Sequence, residues 1–141
     1  MPEELPERLE AGTVNVPGFA GLTEGLKYLR SVGTEELFWQ EHRQLVRCAA
    51  GLKKLGFRVF SGEDQAATIS FLPGSDCEEA AEILGKRGIA VRSGLHCAPL
   101  AHESAGTLES GTVRVSFGFR ASDRETEGFL RAASKLPRKG G

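Results

Sequence analysis

Residues 92–102, Arg-Ser-Gly-Leu-His-Cys-Ala-Pro-Leu-Ala-His, bring a thiol, two imidazoles and a guanidinium into one short stretch. Positive charge near a thiol favours the thiolate, the form that carries out nucleophilic sulfur chemistry. Cys97, close in sequence to Arg92, His96 and His102, is the candidate nucleophile. An inert loop cysteine is the competing reading, and local spacing alone leaves both open. Cys48 and Cys77 fall instead on apolar faces of expected helices, where cysteine behaves as a small buried hydrophobe.

His96, Cys97 and His102 also raise the question of zinc. Structural zinc sites draw three or four ligands, commonly from a Cys-x-x-Cys pair or from histidines three to five apart. His-Cys-x-x-x-x-His offers no second cysteine pair, so no metal site is expected. A cysteine–histidine hydrolase needs an imidazole beside the thiolate and a third orienting group. Neighbours on an extended segment point to opposite sides, which makes His96 a poor base for Cys97. His42 falls on the polar side of an expected helix and reads as solvated or interfacial.

Arg114 stands between Val113 and Val115 in an apolar strand pattern. A charge there must face solvent or meet an anion, and a guanidinium can grip a carboxylate at two points. Period-two alternation equally allows an arginine on the exposed face of a sheet. Near the start, Gly12 and Thr13 precede an expected helix N-terminus, where free N–H groups and a hydroxyl suit phosphate. Taken alone that signal is weak, since many helices start after Gly and Thr.

These groups need a scaffold. The chain has 141 residues, room for one ordinary domain. Its 18 glycines collect at 12–25, 85–94 and 106–118, where backbone must turn tightly or come close to something. With 40% hydrophobic and 26% charged residues the composition is that of a soluble globular protein. A net charge of −1 argues against nucleic-acid or membrane partners reached through bulk charge. No apolar run approaches the roughly 20 residues of a bilayer span. Three cysteines make no disulfide framework, and the acidic N-terminus is no secretory signal. A reducing, cytoplasmic setting is therefore expected.

Residues 1–17 read as an extended arm, 18–136 as a single domain and 137–141 as a flexible tail. Phe19, Leu22, Leu26 and Leu29 recur at helical spacing as far as Gly33. A second helix from Thr34 to Gly56 carries Leu37, Phe38, Leu45, Cys48, Ala49, Leu52 and Leu55 on one stripe. Strands are expected at 57–60, 67–72, 89–91 and 112–117. Ser75 with Glu78, and Ser122 with Glu125, have the spacing of capping boxes that open further helices. Residues 92–111 show no period and read as a long functional loop. The fold class is α+β, a small, mostly antiparallel sheet with helices packed on one face.

Three motifs now fall into order: Glu-Ala-Gly-Thr-Val-Asn-Val-Pro-Gly at 10–18, Val-Arg-Ser-Gly-Leu-His-Cys-Ala-Pro-Leu-Ala-His at 91–102, and Gly-Thr-Val-Arg-Val-Ser-Phe-Gly-Phe at 111–119. Over nearly the whole chain they resemble the C-terminal part of cysteine desulfurases, pyridoxal-phosphate enzymes of the class V aminotransferase superfamily. The cysteine motif is specific to the branch that includes selenocysteine-lyase-like proteins. The resemblance implies the C-terminal domain of a fold-type I enzyme. It further implies a homodimer that removes sulfur from L-cysteine, leaving L-alanine and a persulfide on Cys97. A sulfur-acceptor protein, as in iron–sulfur cluster assembly, would take that sulfur. By position, Arg114 would hold the substrate carboxylate and Arg92 would position the loop or substrate. Gly12 and Thr13 would reach the cofactor phosphate of the partner protomer.

The chain departs from the family pattern in two places. After the last strand the family continues with Asn-Thr, whereas Arg120, Ala121 and Ser122 stand here; Ser122 keeps the helix cap. The family also anchors its cofactor through a lysine in a larger N-terminal domain, with an Asp under the pyridine nitrogen and an aromatic or His stacked on the ring. None of Lys27, Lys53, Lys54, Lys86, Lys135 and Lys139 has the family's His-Lys context. The sequence thus reads as the small domain without the cofactor domain, and inactivity of the isolated chain is expected. Two alternatives stand beside this: a stand-alone sulfur carrier that accepts persulfide at Cys97, and a class V aminotransferase-like domain whose cysteine is incidental.

Overall fold

Strand alternation and helix periodicity decide which side chains meet in the core. A computed structural model describes residues 3–10 and 12–137. The chain divides into two units, Met1–Glu36 and Leu37–Gly141. In the first, a short 3-10 turn at Glu7–Leu9 interrupts the arm, and helix α1 spans Val16–Val32. Asn15 caps α1 by accepting the Gly18 N–H at 3.0 Å, and Pro17 occupies the first turn, where its missing N–H costs nothing. Gly33 ends it at φ +91°, a conformation that favours glycine. Phe19, Leu22, Leu26 and Leu29 keep their helical spacing yet are 40–60% exposed, and no α1 residue is buried.

Helix α2 (Thr34–Lys54) runs into the second unit, followed by β1 (Arg58–Phe60), β2 (Thr68–Leu72) and α3 (Cys77–Gly85). Then come β3 (Arg92–Gly94), α4 (Pro99–Ala105), β4 (Thr112–Ser116) and α5 (Asp123–Ala133). The strands form one antiparallel sheet in the order β1-β2-β4-β3. Ile69 and Phe71 pair with Val115 and Val113, so one face of the sheet is apolar. Against it pack Cys48 and Leu52 of α2, Ala80 and Leu84 of α3, and Phe129 and Ala133 of α5. Phe71 is fully buried at the centre, edge-on to Phe57 at 5.3 Å and to Phe129 at 6.1 Å between ring centroids. The α+β architecture with an antiparallel sheet is the expected one. No helix among the described residues is long and apolar enough to cross a membrane.

Three local expectations are corrected. The third strand is Arg92–Gly94, not 89–91, because the Ile89 N–H bonds back to the Leu84 carbonyl and finishes the α3 end. Helix α3 is capped by Asp76, whose carboxylate accepts the N–H groups of Glu78 and Glu79 at 2.8 and 3.1 Å; Ser75 lies one residue too early. The stretch 92–111 is not irregular: it holds β3 and α4, the latter bounded by Pro99 in its first turn and Gly106 at φ +68°. The box at Ser122 and Glu125 forms as expected. Of the expected tail, residues 138–141 lie outside the described residues.

Candidate active site

The face of the sheet opposite the core carries the polar groups. Register places Arg92 of β3 beside Arg114 of β4, Arg114 beside Ser70 of β2, and Ser70 beside Phe60 of β1, in one row across the sheet. Gly94 and Thr112 belong to the adjoining row on the same face. Residues 95–107 lie over this face, tied to it by the Arg58 guanidinium donating to the Ala105 carbonyl at 3.0 Å and by His96 on Thr112. The three long helices of the second unit that share the core thus lie on one face, and the short α4 on the other.

Glycine geometry feeds the chain into this position. Gly94 has φ +100° and Gly111 φ +61°, and a Cβ on Gly111 would lie 3.0 Å from both the Gly94 Cα and the Cys77 sulfur. Only glycine allows so close an approach. Beyond Gly94 two non-glycine residues in succession, His96 at φ +54° and Cys97 at φ +60°, take the left-handed conformation. That region is sparsely occupied by residues with a Cβ and is held only where the surroundings enforce it. The Ala98 N–H closes the turn onto the Leu95 carbonyl at 2.9 Å, and Pro99 starts α4.

The turn sends its two side chains to different places. Cys97 is exposed, with its sulfur 3.9 Å from Arg92 Nη2. His96 turns inward, its Nε2 3.0 Å from the hydroxyl of Thr112, which is 2% exposed. Its ring lies 5.7 Å from that of His102, and His102 Nδ1 meets the Thr107 hydroxyl at 2.8 Å. Burial holds the His96 imidazole below its usual range. The charges of Arg114, His102 and Arg92 add to this, and the hydrogen bond at Thr112 opposes it. Among the described residues no carboxylate forms an ion pair with Arg92 or Arg114. Two guanidiniums and the Ser70 hydroxyl on one face, without a counter-ion, form a place that suits an anion such as a carboxylate.

The other candidates stand on other segments of the chain. Gly12 (φ +82°) and Thr13 are exposed residues of the first unit, shortly before α1. Cys48 and Cys77 are buried in the core, and burial pushes the Cys48 thiol up to about 12. His42 is half-buried and stacked on Phe38 at 5.4 Å. Among the described residues no group of three His, Cys, Asp or Glu side chains could hold a metal. An open groove of about 680 Å³, lined by Ile89, Val115, Phe117 and Phe129 among others, includes none of Arg92, Cys97 and Arg114. Sequence reasoning passed over Ser70, Thr107 and Thr112. Thr112 had one available signal: it stands two residues before Arg114 on a strand and therefore shares its face.

Comparison with known proteins shows the family. The aminotransferase class-V family model matches residues 2–129. A probable cysteine desulfurase of Xylella fastidiosa is 34% identical over 134 residues, covering 93% of this chain and 32% of the relative. One from Mycolicibacterium paratuberculosis is 38% identical over 138 residues, covering 96% of this chain and 20% of the relative. The apo structure of a cysteine desulfurase from Thermococcus onnurineus superposes with a TM-score of 0.85 at 37% identity, over 93% of this chain and 33% of that one. The cysteine desulfurase CsdA of Escherichia coli, solved in an S-sulfonic acid form, gives 0.83 at 28% identity, also over 93% and 33%. The chain therefore spans about a third or less of the relatives it matches, and by its sequence and its fold it belongs to the aminotransferase class-V family.

Proposed function

We propose that this chain is the C-terminal portion of a pyridoxal-phosphate-dependent cysteine desulfurase in which Cys97 takes the sulfur of L-cysteine. The observation that carries the reading is the juxtaposition of an exposed thiol with Arg92, whose ladder partner on the same sheet face is Arg114, neither arginine having a carboxylate partner among the described residues. Arg114, half-buried mid-strand, holds the substrate carboxylate; Arg92 stands between that site and the sulfur. The Cys97 thiolate attacks the substrate sulfur, and an S–S bond forms as the substrate's Cβ–S bond breaks. The bonding pair stays with Cβ, which takes up the thiol proton and leaves as the methyl group of alanine. The enzyme keeps a persulfide anion.

When bound, the cofactor supplies an electron sink for this bond cleavage. Gly12 and Thr13 would hold its phosphate end: Gly12 takes the left-handed conformation at φ +82°, and Thr13 offers an exposed hydroxyl just before α1. None of the six lysines has the His-Lys context of the family, and in this reading the attachment lysine belongs to a portion outside these residues. In this reading the isolated chain is inactive, the complete enzyme is a homodimer that hands sulfur to an acceptor protein, and the cell compartment is the cytoplasm. The test is Cys97→Ala in the full-length polypeptide. Cofactor absorbance should persist while sulfur transfer is lost; sulfur transfer at the unaltered rate would contradict the assignment.

A second reading, a sulfur carrier, draws on the exposure of Cys97 beside two buried cysteines. Incubating this chain with a complete desulfurase and L-cysteine should then label Cys97, and labelling confined to Cys48 or Cys77 would end it.

A further inference from the structure

We infer that His96 is the positioning residue that holds the Cys97 thiol against the guanidinium face; the inference rests on the role proposed for Cys97. Two consecutive left-handed residues with side chains do not persist unless something enforces them. The clamp on residue 96 is visible. Its Nε2 is fixed at 3.0 Å to Thr112, which is buried and pinned in the ladder opposite Gly94. Its ring also lies against His102, whose own ring is locked by the Thr107 hydroxyl at 2.8 Å while the Thr107 N–H returns to the His102 carbonyl at 2.8 Å. Strand β4 and the C-terminal end of α4 thus grip one imidazole between them.

His96 takes no part in the apolar core and contributes no rung to the ladder. What it fixes is the backbone immediately before Cys97, and with it the sulfur's place 3.9 Å from Arg92 Nη2. The imidazole shares the face with Arg92 and Arg114, and burial, followed by the charges of Arg114, His102 and Arg92, holds it below its usual range. Glutamine offers a similar reach and a polar amide to meet Thr112. Alanine offers neither.

The test uses the 141-residue chain and two alkylating reagents of opposite electrostatic character. Iodoacetate is drawn by guanidiniums beside the sulfur and neutral iodoacetamide is not, so the ratio of their rates at Cys97, divided by the same ratio for a small free thiol, reports the juxtaposition. A change in the thiol's accessibility alone alters both rates together and leaves the ratio unchanged. Near zero salt the unaltered chain should show a ratio about fivefold above the free thiol, as expected for a charge at this distance in water. His96→Ala and Thr112→Val should bring it to the free-thiol value, while His96→Gln and Thr112→Ser should keep it. A folded His96→Ala or Thr112→Val chain that keeps the full ratio overturns the inference and leaves the proposed function standing. Should His96→Ala not fold, the Thr112→Val and Thr112→Ser pair makes the same decision. An unaltered chain with no enhancement would overturn both the inference and the reading on which it rests.

Discussion

Replacing Arg92 with Gln removes the guanidinium that lies 3.9 Å from the Cys97 sulfur and leaves the β3 backbone able to form the same ladder. Both groups are exposed, so the interaction is best valued in a water-like dielectric, where a unit charge at that distance is worth about 1 kcal/mol. Salt reduces it further. With a Debye length of about 8 Å at physiological ionic strength, about 0.6 kcal/mol remains. Anion selectivity at Cys97, read from the iodoacetate and iodoacetamide rates, should therefore fall about threefold at physiological salt and about fivefold near zero salt. Arg92→Lys keeps a positive charge and should retain part of the selectivity. Peptide mapping separates Cys97 from the buried Cys48 and Cys77, which should remain unlabelled while the chain is folded. An Arg92→Gln chain with unaltered selectivity, or a loss that does not depend on salt, would refute the electrostatic reasoning.

Three other outcomes follow from the same geometry. Asp76→Ala should lower stability by about 1 kcal/mol through loss of the α3 cap, while Ser75→Ala should change it by a few tenths at most; thermal melts of the two variants decide. Gly111→Ala places a Cβ 3.0 Å from the Cys77 sulfur and the Gly94 backbone at φ +61°, and should cost about 1–3 kcal/mol in denaturant unfolding. Because the folded-state His96 pKa is held below its unfolded value of about 6.5, the unfolded chain binds the proton more readily. Its contribution to stability is thus fully present above that pH and is lost as pH falls toward the folded-state value. His96→Gln should show a flatter decline across that window in pH-dependent unfolding, and equal slopes for the two chains would contradict the sign.

Much of the second unit is readable from its residues because periodicity and burial agree there. Leu37, Leu45, Cys48, Ala49 and Leu52 of the α2 stripe are buried while Phe38, at the stripe's edge, is exposed; Cys77 is in the core, and Ser122 caps α5 with Glu125. Periodicity is less informative where the partner is not visible. The α1 stripe is regular, but its apolar residues are exposed in this chain. Strand β3 is Arg-Ser-Gly, without the β-branched or aromatic residues that mark a strand, and it exists because β4 offers it a ladder. Helix α4 has seven residues, too short for an apolar period, although Pro99 and Gly106 bracket it. The contents of the site were legible as residue types at 92–102 and at Arg114. Their assembly depends on register between segments distant in sequence, which sets Arg92 beside Arg114 and brings His96 to Thr112.

In the proposed reaction Cys97 carries the transferred sulfur. Trypsin cuts after Arg92 and Arg114, so Cys97 is the sole cysteine of peptide 93–114 and its mass can be read without ambiguity. The measurement is mass spectrometry of that peptide from the full-length enzyme, alkylated immediately after brief exposure to L-cysteine. The peptide should gain the mass of one sulfur atom, lose it to reductant, and gain none on exposure to L-serine. Release of alanine with peptide 93–114 unchanged, or with the sulfur found on the peptides of Cys48 or Cys77, would contradict it.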